Sequence, residues 1–169
     1  RRLSGRGRLI CIDRDRQALE AGQARLAPWA ERITFLHGNF VDLSKLLAEA
    51  GVEQADGMLF DLGVSSPQLD DRSRGFSYMH DAPLDMRMDQ DDSLTAWTVV
   101  NQWSREELRR ILAQYGEERY AGLLAAAIVR ARESAAIETT GELVEIIRGA
   151  LPASALREKQ HPAKRSFQG

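Results

Sequence analysis

Hydrophobic positions in the first part of the chain alternate between short continuous runs and stretches spaced three and four apart, as a parallel sheet with crossover helices reads. Leu9, Ile10, Cys11 and Ile12 form the first run and predict a buried strand. Asp15 then stands where it can cap a helix whose Leu19, Gly22 and Leu26 share one face, and Pro28 breaks that helix. Residues 33–36 predict a second strand. After Phe40, Asp42 is placed to cap a helix carrying Leu43, Leu46 and Leu47, with Gly51 ending it in a left-handed conformation. Residues 57–62 predict a third strand.

Residues 63–92 follow neither period and are interrupted by Pro67, Gly75 and Pro83. Irregular connections this long are uncommon in a compact domain and are either functional or disordered. Leu69, Phe76, Tyr78, Met79, Leu84, Met86 and Met88 give the segment something to pack, which favours a folded, functional loop. It begins directly after a strand, and in open parallel sheets ligands bind beyond the carboxyl ends of strands. From Leu94 onward the spacing is helical. Ser104 with Glu107 and Thr139 with Glu142 are capping-box pairs; Leu108, Ile111, Leu112 and Tyr115 line one helix, and Leu123, Leu124, Ala127, Ile128 and Ala131 the next. Leu143, Ile146 and Ile147 follow, and Pro152 with the polar run to His161 ends the helical segment.

Composition narrows this picture. A chain of 169 residues with 43% hydrophobic and 28% charged residues has the balance of a folded globular protein and room for a domain and a small attachment. Cys11 is the one cysteine, which rules out an intrachain disulfide and fits a reducing compartment. No apolar stretch reaches the roughly 20 residues of a membrane helix, and the basic start lacks the apolar core of a signal peptide, so a cytoplasmic protein without a membrane association is expected. A net charge of −2 leaves no global attraction for nucleic acid, so any such contact must be local. Arg1, Arg2, Arg6 and Arg8 at one end and Arg157, Lys159, Lys164 and Arg165 at the other are either that local charge or solvated termini.

Three positions at strand ends carry candidate chemistry. Asp13 closes the first strand, where a carboxylate accepts hydrogen bonds from ribose hydroxyls; a polar turn with a helix cap explains it equally. Phe40 follows the second strand and offers an aromatic face to an adenine, or to the core. The third is the run from Asp61 through Ser65, Ser66, Pro67, Gln68, Asp70 and Asp71, which gathers hydroxyls, a rigid proline, an amide and three carboxylates beyond an apolar run. Asp61 inside such a run is costly to bury without a donor, which a ligand can supply. Gly5 and Gly7 precede a strand and lack a third glycine, so no dinucleotide fingerprint is present. His37, His80 and His161 have no paired ligand spacing, and no metal site is expected.

The stretch from Asp61 to Asp71, continued by Arg74, Gly75, Phe76, Ser77, Tyr78 and Met79 and then by Pro83, Leu84, Asp85, Met86, Arg87, Met88 and Asp89, closely resembles the MraW/RsmH family of ribosomal RNA methyltransferases. Gly116, Glu117, Glu118 and Arg119 add to the likeness, as do His161, Pro162, Ala163, Lys164, Arg165, Phe167 and Gln168. The resemblance runs from about Leu9 to Gln168. It implies an α/β fold, a Rossmann-like class I methyltransferase sheet with an inserted, mostly helical domain. Residues 1–93 are then the S-adenosylmethionine-binding domain with the substrate loop 63–92, residues 94–155 the helical substrate-recognition domain, and residues 156–169 the start of the return. The family's order also implies a strand and a Gly-Gly-His loop ahead of Arg1 and closing strands beyond Phe167, so the sheet is expected to be incomplete at both ends.

The same resemblance implies methylation of the exocyclic amine of a cytidine in small-subunit ribosomal RNA, with S-adenosyl-L-methionine as cofactor and the RNA or the small subunit as partner. It assigns Asp13 to the cofactor ribose, Phe40 to the adenine, and Asp61 and Gln68 to the methionine and adenosine portions. A cytosine amine is a weak nucleophile, so the task is alignment and an acceptor for its proton. Ser65, Ser66, Pro67, Asp70 and Asp71, with Asp61, are the candidates by position. Phe76 and Tyr78 are candidates to stack on an extruded base, and Arg72, Arg74 and Arg87 to meet phosphates. A methyltransferase of another RNA or of DNA, a non-catalytic module of the same fold, and a nicotinamide-dependent oxidoreductase are the competing readings.

Overall fold

The computed structural model describes residues 7–169; Arg1, Arg2, Gly5 and Arg6, which bear on the basic start and the glycine pair, lie outside the described residues. The chain divides into two compact units. One runs to Gly63 and takes in Met88–Asp91; the other comprises Val64–Arg87 and Asp92–Gly169.

The first unit is a strand-helix-strand turn, as the alternating pattern predicts. Strands β1 (Leu9–Asp13) and β2 (Ile33–His37) pair in parallel, with Leu9 opposite Ile33 and Asp13 opposite His37. Helix α1 (Arg16–Leu26) joins them, and the Asp15 carboxylate caps it by accepting from the Gln17 amide at 3.0 Å. Leu19 is the buried residue of α1, and the Phe35 ring lies so near Gly22 that an added Cβ would stand 3.0 Å from it. The helix ends before Pro28, in a 3-10 turn Ala27–Arg32. A second 3-10 turn, Phe40–Asp42, leads into α2 (Leu43–Glu49), and Gly51 closes the segment at φ +69°.

Two expectations fail here. The cap after β2 is Asn39, whose side chain accepts from the Val41 amide at 3.2 Å, and Asp42 makes no capping bond. Asp42 has φ −98° and ψ 16°, whereas a side chain folds back on the next turn from extended backbone. Nor do residues 57–62 form a strand. A strand within a parallel sheet is held by a ladder on its neighbour and by cover on both faces. The described residues give 57–62 neither, and Met58, Leu59, Phe60 and Leu62 are exposed, Leu59 at 94%. The apolar run marks a segment able to form a strand; pairing requires an edge it cannot encode locally.

The second unit is helical: α3 (Ser66–Asp70), α4 (Ala96–Gln102), α5 (Arg105–Gln114), α6 (Ala121–Ser134), α7 (Thr140–Ala150), α8 (Ala153–Leu156) and α9 (Lys164–Gln168). Both capping boxes form, Ser104 with Glu107 and Thr139 with Glu142. Leu108, Leu112, Leu124, Ile128, Leu143 and Ile147 meet in one core, while Tyr115 and Leu123 are exposed. Helix α9 extends beyond the expected end of the helical segment, and Gly116 explains its seat. A Cβ there would stand 2.4 Å from the Arg165 carbonyl oxygen, so a glycine is required for α9 to pack.

Residues 64–87 are folded onto this unit. The Thr140 hydroxyl, fully buried, donates to the His80 carbonyl at 2.8 Å and accepts from the Ala82 amide at 3.0 Å, and Pro83 bridges to Thr139. Phe76, Ala82 and Leu84 are buried behind these bonds. Gly75 makes the turn possible, with φ +70° and an absent Cβ that would lie 2.3 Å from the Pro83 carbonyl oxygen.

Candidate functional site

In the first unit the pairing of β1 and β2 brings Asp13 and the segment His37 to Phe40 to one end of the sheet. Asp13 is exposed; its Oδ1 accepts from the Asp15 amide at 2.8 Å, and its Oδ2 accepts from none of the described residues. Its carbonyl accepts from the Gly38 amide at 3.0 Å, which ties the two strand ends together. The Phe40 ring is 51% exposed just beyond β2, on a turn fixed by Asn39. A carboxylate oxygen with capacity to accept and an exposed aromatic face on adjacent strand tips suit the ribose and the base of a nucleoside. Asp61 follows the unpaired run and is exposed, so burial imposes no need for a donor ligand; the sheet does not carry it to Asp13 and Phe40.

The same end of the sheet holds a pair of contacts that sequence reasoning missed. His37 Nε2 lies 3.0 Å from the Arg14 carbonyl oxygen and 2.9 Å from Asp89 Oδ2. Asp91 Oδ2 lies 2.8 Å from Arg16 at the start of α1. Residues 88–91 are therefore strapped to the tips of β1 and β2. Nothing in the local spacing of His37 and Asp89 announces this, since 52 positions part them in the sequence.

In the second unit, Ser65 and Gln68 form a capping box at α3: the Ser65 hydroxyl accepts from the Gln68 amide at 3.4 Å, and Gln68 Oε1 accepts from the Ser65 amide at 2.9 Å. This Ser-x-x-Gln signature was legible in the sequence alongside the two boxes noted there. Pro67 sits in the first turn, where its missing N–H costs nothing. Asp71 caps the next turn by accepting from both the amide (2.9 Å) and the hydroxyl (2.6 Å) of Ser73, and these bonds hold its carboxyl below the usual range. The Asp70 carboxylate is exposed and bonds to none of the described residues.

The expected substrate residues divide sharply. Arg72 is exposed, but Arg74 is buried, donates to the Arg87 carbonyl at 2.9 Å and lies over the Phe76 ring. Arg87 is clamped to Asp85 and donates to the Asp92 carbonyl at 2.9 Å. Phe76 is a core residue. Tyr78 is half-buried, with the His161 ring stacked on it at 4.5 Å and Phe167 edge-on at 5.8 Å. Burial lowers the basicity of His161, with the charge of Arg148 adding to the effect.

The model of one family, described as the MraW methylase family, matches residues 1–169. The chain belongs to the MraW methylase family. Two relatives carry the same name, ribosomal RNA small subunit methyltransferase H. That of Paenibacillus sp. (strain JDR-2) is 56% identical over 172 residues, covering 98% of this chain and 54% of the relative. That of Symbiobacterium thermophilum is 54% identical over 168 residues, covering 99% of this chain and 53% of the relative. The chain thus spans about half the length of the curated relatives it matches. The MraW match agrees with the resemblance seen in the sequence, and the α/β unit fits a Rossmann-like start. No helix among the described residues is long and apolar enough to cross a membrane.

Proposed function

We propose that the protein to which this chain belongs transfers a methyl group from S-adenosylmethionine to the exocyclic amine of a cytidine in small-subunit ribosomal RNA, in the cytoplasm. The observation that carries the reading is the pairing of an accepting carboxylate, Asp13, with an exposed ring, Phe40, on adjacent strand tips of an MraW-family chain. Those two residues would hold the adenosyl group, with Asp61 and Gln68 proposed for its remaining contacts. When bound, the cofactor supplies an electrophilic sulfonium methyl.

The protein's own task is to hold the amine in line and take its proton. Of the carboxylates beyond Val64, Asp71 is already committed to Ser73 and kept ionised, whereas Asp70 retains its accepting capacity. We therefore rank Asp70, with Ser66, ahead of Asp71, of Ser65, whose hydroxyl serves the α3 cap, and of Pro67, whose carbonyl accepts from the Asp71 amide. Arg72 is the phosphate contact among the three arginines, because Arg74 and Arg87 are engaged within the unit. Phe76 is given a packing role and Tyr78 the stacking role. Residues 94–155 are read as the core of an inserted substrate-recognition domain.

Incubating the full-length protein with labelled S-adenosylmethionine and, separately, small-subunit particles, naked small-subunit RNA and duplex DNA tests this. Label recovered as N4-methylcytidine from either RNA substrate is the expected result. Transfer to DNA alone, or to a ring carbon, overturns the assignment, and cofactor binding without transfer to any of them points to a non-catalytic module.

A further inference from the structure

The strap formed by residues 88–91 gives the proposed cofactor site a support that neither the family match nor the relatives' names assign. We propose that Asp89 is a positioning residue for the nucleoside cofactor, acting through His37 on the turn that carries Asp13; this rests on the reading of Asp13 and Phe40 as cofactor contacts.

Both atoms facing His37 Nε2, the Arg14 carbonyl oxygen at 3.0 Å and Asp89 Oδ2 at 2.9 Å, are acceptors. Nε2 therefore carries a proton and donates, whatever the charge of the ring. Arg14 directly follows Asp13, so this proton links the last residue of β2 to the backbone of the turn that aims the Asp13 carboxylate. The Gly38 amide on the Asp13 carbonyl and the Asp15 amide on Asp13 Oδ1 also hold this turn. Asp89 Oδ2 shares that Nε2 proton with the Arg14 carbonyl and so fixes the ring at the same atom, and the Asp89 and His37 side chains are only 15% and 25% exposed. A charge-assisted bond sheltered to that degree keeps most of its strength. The neighbouring Arg16–Asp91 pair, at 60% and 65% exposure, is solvated and screened, and contributes little. Of these two ion pairs, Asp89 with His37 is the one able to set the geometry of the strand tips.

The test uses the full-length protein and calorimetric binding of S-adenosylhomocysteine, followed by steady-state kinetics. Asp89→Ala is expected to weaken binding about tenfold, the scale of one lost charge-assisted hydrogen bond. KM for the cofactor rises with it, while kcat at saturating cofactor and KM for RNA stay near wild type. His37→Phe, which keeps the ring shape and loses the donor, gives a loss at least as large, and the double variant is no worse than His37→Phe alone. Asp89→Asn keeps an acceptor and recovers part of the affinity; Asp91→Ala stays within about twofold.

A merely structural role lowers the active fraction, so kcat falls with KM unchanged, and that outcome overturns the proposal. So do unchanged binding in Asp89→Ala and losses that add in the double variant. If Asp89→Ala does not fold, His37→Phe against Asp89→Asn carries the same comparison. Failure of the wild-type protein to bind S-adenosylhomocysteine counts against the cofactor reading itself, and is thereby separate from a failure of the strap.

Discussion

Arg87 and Asp85 form a two-pronged ion pair, with Nη2 2.6 Å from Oδ2 and Nε 3.1 Å from Oδ1, and the pairing keeps the guanidinium firmly protonated. The remaining Nη1 donates to the Asp92 carbonyl, so Arg87 joins the two points at which the chain leaves and re-enters the helical unit.

Replacing Arg87 by alanine therefore removes a fold contact and leaves Asp85 short of its donors. The loss expected is about 1–2 kcal/mol, seen as a lower thermal midpoint. Arg72→Ala behaves oppositely: the midpoint holds, RNA affinity falls, and the slope of log affinity against log salt drops by about one. Titrating RNA at several salt concentrations beside a melting curve distinguishes the two arginines.

Asp13→Ala is expected to lower the affinity of the full-length protein for S-adenosylmethionine by roughly tenfold to a hundredfold, the range of one hydrogen bond to a charged group. Helix content is retained. Calorimetry that finds wild-type affinity would take Asp13 out of the site.

Gly75→Ala is expected to cost about 2–4 kcal/mol, because the new Cβ combines an unfavourable positive φ with a backbone clash at Pro83. A flexible side chain could move aside; a carbonyl held in the bridge to Thr139 cannot do so cheaply. Denaturant titration of the variant measures the loss directly.

Acid should loosen the helical unit through its caps. Bonds from Ser104 hold the Glu107 carboxyl below its usual range, bonds from Ser73 do so for Asp71, and bonds from Thr139 and Gly141 for Asp81. A carboxyl with a lowered folded value binds fewer protons folded than unfolded, so its stabilisation is present above its ordinary value and lost as pH falls through the folded one. Thermal midpoints taken downward from about pH 5 should decline, and Glu107→Gln should decline less steeply. Equal slopes would show that this cap is not part of the acid response.

Much of the fold is written in local chemistry. Asp15, Ser104 and Thr139 each lie beside the amides they cap, and β1 and β2 are short apolar runs joined by a helix whose stop signal, Pro28, is itself local. That Asp13 and Phe40 lie at one end of the sheet was legible for the same reason: Asp13 ends β1 and Phe40 opens the turn just after β2. Residues whose fate depends on distant partners were not. Arg74, Arg87 and Phe76 stand in the sequence as candidate substrate contacts, Phe76 also as a packing residue, and burial and pairing inside the helical unit commit them to the fold.

The first strand-helix-strand unit, the Asp15, Ser104 and Thr139 caps and the family motif were thus determined by the chain alone, because each depends on neighbours within a few residues. Tertiary structure decided whether 57–62 pairs, which arginines keep a free charge, and that Asp89 meets His37. Those outcomes rest on hydrogen bonds and burial between segments far apart in sequence, and no periodicity encodes which segments will meet.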